Sequence, residues 1–393
     1  MCPSLIVHTI KLATIILLLI AFEGANATNY YISYRRGRDS WKGTSVSKPW
    51  KSLEKISQLT FSPGDSILLE CGNSWNGHIQ LNGSGEANNP IVLASFGEGE
   101  KPILNGSGNH YTILIRNQEY WRILGLEITN FDEREEGIDL WAWEMRNKNI
   151  WASSIEPLAP FKDARNQKHA ILVEAIDVGC VNGLYFKNLE IHGVNGAMST
   201  KHNGGIFLAV RGDRIATWFD DLVVEGCYIH DVDRTGISNI SSWNNRTLTR
   251  NVNWVPSKNI VIRNNVFERT GANALIVRVA EGPIIEYNLF DHCSIKGSGN
   301  ANFPFNCDHA VIRFNEARFT KYNLGDADAG GFDSDYRCKN TVIEYNYSHH
   351  NEFGGILICC MGGDDESRFN YGTKIRTHEP IVETILGPWK RST

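Results

Sequence analysis

The stretch Thr341-Val-Ile-Glu-Tyr-Asn-Tyr-Ser-His-His-Asn351 constrains the fold most, because its pattern returns upstream with the same residue types in the same places. Ala310-Val-Ile-Arg-Phe-Asn-Glu-Ala-Arg-Phe-Thr320, Pro283-Ile-Ile-Glu-Tyr-Asn-Leu-Phe-Asp-His-Cys293 and Ile260-Val-Ile-Arg-Asn-Asn-Val-Phe-Glu-Arg-Thr270 align on it, and looser copies run from Leu222 to Val232 and from Leu184 to Val194. The sixth position of each copy falls at Leu189, Cys227, Asn265, Asn288, Asn315 and Asn346, in steps of 38, 38, 23, 27 and 31 residues. A unit of this length cannot bury its own apolar face, so units stack.

Each copy reads as a short β-branched strand of alternating polarity, then Asn, then a second short strand, with no helical period between copies. A solenoid of helix pairs or leucine-rich repeats is therefore excluded. The pattern predicts an all-β fold, a right-handed parallel β-helix, whose equivalent positions stack about 4.8 Å apart. Asn265, Asn288, Asn315 and Asn346 then share one position. There their amides hydrogen-bond up the stack and satisfy buried turn backbone as an asparagine ladder.

The chain of 393 residues, 42% hydrophobic, suits one elongated domain. Its net charge of -5 and lack of a basic run give no sign of a nucleic-acid partner. Leu12 to Phe22 is an apolar run behind Lys11, with the small-x-small site Ala25-Asn26-Ala27 after it. Residues 1–27 are expected to be a secretory signal, too short to span a membrane, and 28–393 a single domain with no later membrane span. Eight cysteines follow Cys2, and export permits disulfides; Cys293 with Cys307 is the pair to test first. Asn82, Asn105, Asn239, Asn245 and Asn346 head N-x-Ser/Thr sequons.

Residues of about 28–62 are expected to form an N-terminal strand and cap. Tyr30 to Ser33 is the strand. A helix opening at Pro49 carries Trp50, Leu53, Ile56 and Leu59 on one face, with Ser47 as its cap. Two excursions interrupt the rungs: Asp132 to Gln167, with Trp141, Trp143 and Trp151, and Ser241 to Pro256, with Trp243, Arg246, Arg250 and Trp254. Together they are expected to wall a groove. Thr373-Lys-Ile-Arg376 starts another rung, but His378 stands where Asn is expected and no cap follows, which suggests truncated C-terminal rungs.

The series Tyr30-Tyr-Ile-Ser33, Ser47-Lys-Pro-Trp50, Pro63-Gly-Asp65, Ser74-Trp-Asn-Gly77, Pro90-Ile-Val-Leu93 and Phe96-Gly-Glu-Gly-Glu-Lys-Pro102 resembles the opening segment of secreted right-handed β-helix repeat proteins. Many of those act on polysaccharides as lyases, hydrolases or epimerases. The resemblance implies a secreted, monomeric, carbohydrate-active enzyme with a polysaccharide bound along one sheet.

The richest constellation is Gly325-Asp-Ala-Asp-Ala-Gly-Gly-Phe-Asp-Ser-Asp335. In an extended strand Asp333 and Asp335 share one face, about 6.6 to 7 Å apart. That spacing suits an inverting acid and base pair, alone or with Asp328. It equally suits calcium, held by Asp326, Asp328 and Asp333. Aligning the rungs places Arg278 on the row of Asp335 with one rung between. His192, His230 and His349 share another repeat position, and His349 is the catalytic candidate among them. Lys201, His202, Arg234, Trp243 and Trp141 are candidates for binding substrate. Two reactions compete: hydrolysis on the Asp pair, and calcium-assisted β-elimination of a uronate with Arg278, Lys201 or a histidine as base. A non-catalytic glycan-binding solenoid is the alternative of another class.

Overall fold

The computed structural model describes residues 27–135, 166–322, 328–360, 366 and 368–376. Almost every described strand pairs in parallel with the equivalent strand one repeat away, giving three long sheets that wind together as a right-handed parallel β-helix. Sheet I runs from Asn29–Ile32 to Lys374–Arg376, sheet II from Ser74–Asn76 to Tyr347–His349, and sheet III from Ile79–Leu81 to Gly354–Ile358. One rung is typified by Ser257–Arg263 in sheet I, Val266–Glu268 in sheet II and Leu275–Arg278 in sheet III.

Alternation within these short strands sends one residue type inward at each level. Ile285, Ile312 and Ile343 stack directly in sheet I and are buried, and Phe267 stacks on Phe290 in sheet II with ring centroids 5.1 Å apart. Each such side chain contributes roughly 1.5–3 kcal/mol relative to leaving it exposed.

The corner between sheets I and II is where the asparagine ladder lies. Asn265 Nδ2 donates to Asn288 Oδ1 at 2.9 Å, Asn288 Nδ2 to Asn315 Oδ1 at 3.0 Å, and Asn315 Nδ2 to Asn346 Oδ1 at 3.0 Å. Each Nδ2 also donates to a sheet I carbonyl of the preceding rung, from Val224, Ile262, Ile285 and Ile312 in turn. The residue before each ladder position is left-handed: Asn264, Tyr287, Phe314 and Tyr345 have φ of 54–56°. Earlier rungs place Gly125 and Gly226 at this point, which meet the same corner without a Cβ penalty. The three aromatics stack on the outside, Tyr287 on Phe314 at 5.0 Å and Phe314 on Tyr345 at 5.4 Å. The side-chain amides of Asn346 and Asn239 each hydrogen-bond to neighbouring residues through both the nitrogen and the oxygen.

Three expectations are corrected here. The capping helix, α1, is only Glu54–Ser57, and Ser47 does not cap it. Trp50 N–H instead donates to Tyr31 O at 2.8 Å, and Asp39 Oδ1 accepts from the Lys51 and Ser52 amides, so the chain stays extended until Leu53. Trp50, Leu53 and Ile56 still bury their side chains over the first rungs. Cys293 and Cys307 are buried free thiols, and the other six cysteines among the described residues are free as well. The excursion after Ser241 is a packed strap rather than an aromatic wall. Arg246, 3% exposed, pairs with Asp308 at 2.7 Å under the Trp254 ring, and Trp243 packs partly buried against the core. The rung at Lys374–Arg376 pairs with Val342–Glu344. His378, residues 1–26 and most of the first excursion, including Trp141, Trp143 and Trp151, lie outside the described residues.

Asn288→Ala strips partners from two buried donors on Asn265, its amide N–H and its Nδ2. Chemical denaturation is expected to show a loss of roughly 2–4 kcal/mol, since each stranded buried group costs about 1–3 kcal/mol.

Candidate functional site

The outer face of sheet III gathers most of the predicted site residues. Along its C-terminal strands two outward columns run side by side. One passes through Ile276, Phe303, Asp333 and Leu357, and the other through Arg278, Phe305, Asp335 and Cys359. Arg278 therefore stands on the row of Asp335 with Phe305 between them. The strand Gly330–Ser334 alternates strictly at this point. Phe332 and Ser334 are buried inward, while Asp333 and Asp335 emerge on the outer side.

The two carboxyl groups converge more closely than their strand spacing implies: their nearest oxygens, together with Cys359 Sγ, lie within 4.8 Å of one another. Asp333 is 2% exposed. Its Oδ2 accepts from Asn300 Nδ2 at 3.1 Å, and its Oδ1 is sealed from solvent with no hydrogen-bond partner. Burial pushes the Asp333 carboxyl well above the usual carboxylate range, and the charges of Asp335 and Asp328 add to it. Asp335 is pushed up by burial too, but the Tyr336 amide at 2.7 Å and the charges of Lys201 and Arg278 oppose the rise. Of the pair, Asp333 holds its proton longer and Asp335 ionises first.

The cations are held in place by backbone carbonyls and ring faces. Arg278 Nη1 donates to Asn239 O at 2.7 Å, and burial lowers the guanidinium to about 10, with Asp335 resisting. The Lys201 ammonium lies 4.9 Å from the centre of the Phe303 ring. Burial lowers its pKa; Arg234 and Arg278 act in the same direction, against Asp328 and Asp335. Arg234 is buried, donating from Nε to Met198 O and from Nη1 to Asn273 Oδ1, both at 3.2 Å.

Asn273 and Asn300 are the residues that sequence reasoning missed. Asn273 Nδ2 donates to Asn300 O at 2.8 Å, and Asn300 Oδ1 accepts the Gly330 amide at 2.8 Å while its Nδ2 holds Asp333. They form a short polar chain from Arg234 to the buried carboxyl. The available signal was the pair Asn-Ala recurring at 273–274 and 300–301 ahead of successive sheet III strands.

Other candidates stand elsewhere. His202 stacks on Phe207 at 4.7 Å, and burial, reinforced by Arg278 and Arg211, lowers it to about 4, so its imidazole is neutral near pH 7. Phe207 lies four strands before Asp333 on the outer face, roughly 19 Å at the ordinary strand spacing. His349 belongs to sheet II, a different wall of the solenoid, where it meets Glu316 at 3.2 Å and His350. Its row runs His192, His230, Glu268, Asp291, Arg318, His349, a ladder of mixed charge rather than a file of imidazoles. Trp243 is occupied in core packing. Trp141 and Asp326 lie outside the described residues. Of the expected calcium ligands, Asp328 is close enough to accept from Asn300 Nδ2 at 3.5 Å. Among the described residues, the donors within 4.8 Å of the Asp333 carboxyl are the Asp335 carboxyl and the Cys359 thiol.

Because its folded pKa is raised, Asp333 contributes most to stability when protonated, below the ordinary carboxylate pKa of about 3.9, and that contribution is lost as pH climbs toward the folded value. Asp333→Asn, neutral at every pH, is expected to raise the thermal unfolding midpoint at neutral pH. Near pH 3 the difference from the parent should vanish.

Comparison with known proteins finds no matching family model. The chain is 27% identical over 413 residues to a lacto-N-biosidase of Bifidobacterium longum subsp. longum, an alignment covering 85% of this chain and 25% of that protein. Its fold is similar to that of a crystallised GH136 lacto-N-biosidase from Eubacterium ramulus. A selenomethionine derivative of that protein gives a TM-score of 0.73 at 23% identity, covering 89% of this chain and 59% of the other. The native form gives 0.70 at 24%, covering 84% and 57%. The chain thus spans a quarter of the curated relative and less than three fifths of the solved chains, and it shares with the latter a parallel β-helix.

Proposed function

We propose that this chain is an exported, monomeric glycoside hydrolase that cleaves an oligosaccharide held against the outer face of sheet III. The observation that carries the reading is the convergence of Asp333 and Asp335 within 4.8 Å, one fully buried and inclined to keep its proton, the other facing two cations. In this reading Asp333 donates its proton to the glycosidic oxygen as the bond to the sugar lengthens. Asp335, ionised first, faces the positive charge that develops on the ring carbon. Carboxyl groups about 5–5.5 Å apart suit a retaining mechanism, in which the second carboxylate attacks, whereas an inverting pair needs about 6.5–9.5 Å to admit water. The close pair therefore favours retention over the inverting chemistry that strand spacing alone suggested. Arg278 and Lys201 are set to bind polar groups of the sugar, with the half-buried rings of Phe305 and Tyr336 beside them. The likeness to a lacto-N-biosidase supports the reaction class and names the first substrate to try, a chromogenic lacto-N-bioside.

Arg278 also supports a second reading. Lowered to about 10, it is a candidate base for β-elimination on a uronic acid polymer, opposite Asp335. Release of chromophore or new reducing ends without ultraviolet absorbance of an unsaturated uronate supports hydrolysis; the absorbance supports elimination. Under the hydrolase reading, Asp333→Asn and Asp335→Asn are each expected to lower kcat about 10²–10⁴-fold with binding largely kept. Unchanged turnover in both variants would remove the pair from the chemistry.

A further inference from the structure

The acid pair has a third neighbour that glycoside hydrolysis does not use. Cys359 follows the strand Gly354–Ile358, which pairs with Gly330–Ser334, and its amide donates to Ser334 O at 2.9 Å. That bond fixes Cys359 beside Asp335 on the outer column and brings its Sγ within 4.8 Å of an oxygen of each aspartate. Asp333 Oδ1, on a side chain 2% exposed, has no hydrogen-bond partner. A bare carboxylate oxygen, a second carboxylate and a thiol on two adjoining strands form a donor set of mixed hardness. Oxygen donors alone would suit calcium or magnesium, but sulfur shifts the preference to zinc and its heavier congener cadmium.

We propose that Asp333, Asp335 and Cys359 form a binding site for a thiophilic divalent cation, Zn2+ or Cd2+, and that the bound ion blocks the acid pair. Three protein ligands leave a fourth tetrahedral position open to water, as in open zinc sites. Binding forms one metal–sulfur and two metal–oxygen bonds. The thiol proton, and any proton held on the carboxyl pair, passes to solvent. Cys359 is only partly buried and its neighbour Cys360 is exposed, so the thiol lies near the solvent boundary. Blocking rests on the catalytic role proposed for the pair; binding itself does not.

The test is a titration of the reduced, purified full chain with Cd2+, following the ultraviolet charge-transfer band from thiolate to cadmium. A band saturating at one equivalent is expected, kept in Cys360→Ser and lost in Cys359→Ser. Cadmium affinity should fall at least about tenfold in Asp335→Asn, with the far-ultraviolet circular dichroism unchanged. A band that persists undiminished in Cys359→Ser would overturn the proposal, as would parental affinity in both Asp333→Asn and Asp335→Asn. Should Cys359→Ser fail to fold, the aspartate variants, which keep the thiol, decide it. A saturating band in a protein with no glycosidase activity upholds the cation site and sinks the catalytic reading. Normal turnover with no band does the reverse.

Discussion

Every corner of a parallel solenoid turns peptide groups toward a dry interior, and a buried group without a partner is expensive. The stack from Asn265 to Asn346 solves this at the corner between sheets I and II. One side chain per rung accepts from the backbone of the rung below and donates both to that rung's strand and to the next amide in line. Because each amide satisfies its neighbour, the ladder also fixes the vertical register of the rungs. Sheet III inherits that register, and the columns that carry Asp333, Asp335 and Arg278 follow from it.

The fold was legible because its cause is periodic. The same residue types recur at the same positions in Ile260 to Thr270 and in Thr341 to Asn351, and the ladder asparagines occupy the sixth place of each. Register arithmetic then placed Arg278 opposite Asp335 across one rung, where the paired strands put it. What periodicity cannot see is side-chain direction beyond the strand. It gave the spacing of the aspartates along the backbone, whereas their side chains lean together to within 4.8 Å. It aligned His349 with His192 but not with the acid pair, since repeat position fixes a row within one sheet and says nothing of which sheet bears the site. Asn300 escaped notice because an isolated Asn before a strand looks like ordinary turn chemistry until its partner, Asp333, is in place. The helix expected from Pro49 failed for a local reason: the Trp50 amide had a strand partner in Tyr31, which outweighs helical propensity over a few residues.

The candidate site is an electrostatic compromise. Burial lifts both carboxyl groups, Lys201 pulls both back and Arg278 pulls back Asp335, and burial in turn weakens the charge of those cations. A carboxyl pair held this way can place a proton on one member at a pH where an exposed aspartate would have none. Asn273 and Asn300 keep the geometry by linking the buried Arg234 to Asp333 through uncharged groups, which orient without adding charge.

The stacking of Arg278, Phe305 and Asp335 on successive rungs also bears on how such a protein can change. Each rung meets chiefly its two neighbours, so a duplicated turn is absorbed with little disturbance to the rest. One extra rung between Arg278 and Gly330 would carry the cation about another 4.8 Å from the carboxylates. The reacting groups themselves would be unchanged, yet the balance of charge around the pair would be altered. In this architecture the pitch of the coil is itself a variable of the chemistry, adjustable in whole steps by copying scaffold rather than by substituting the groups that react.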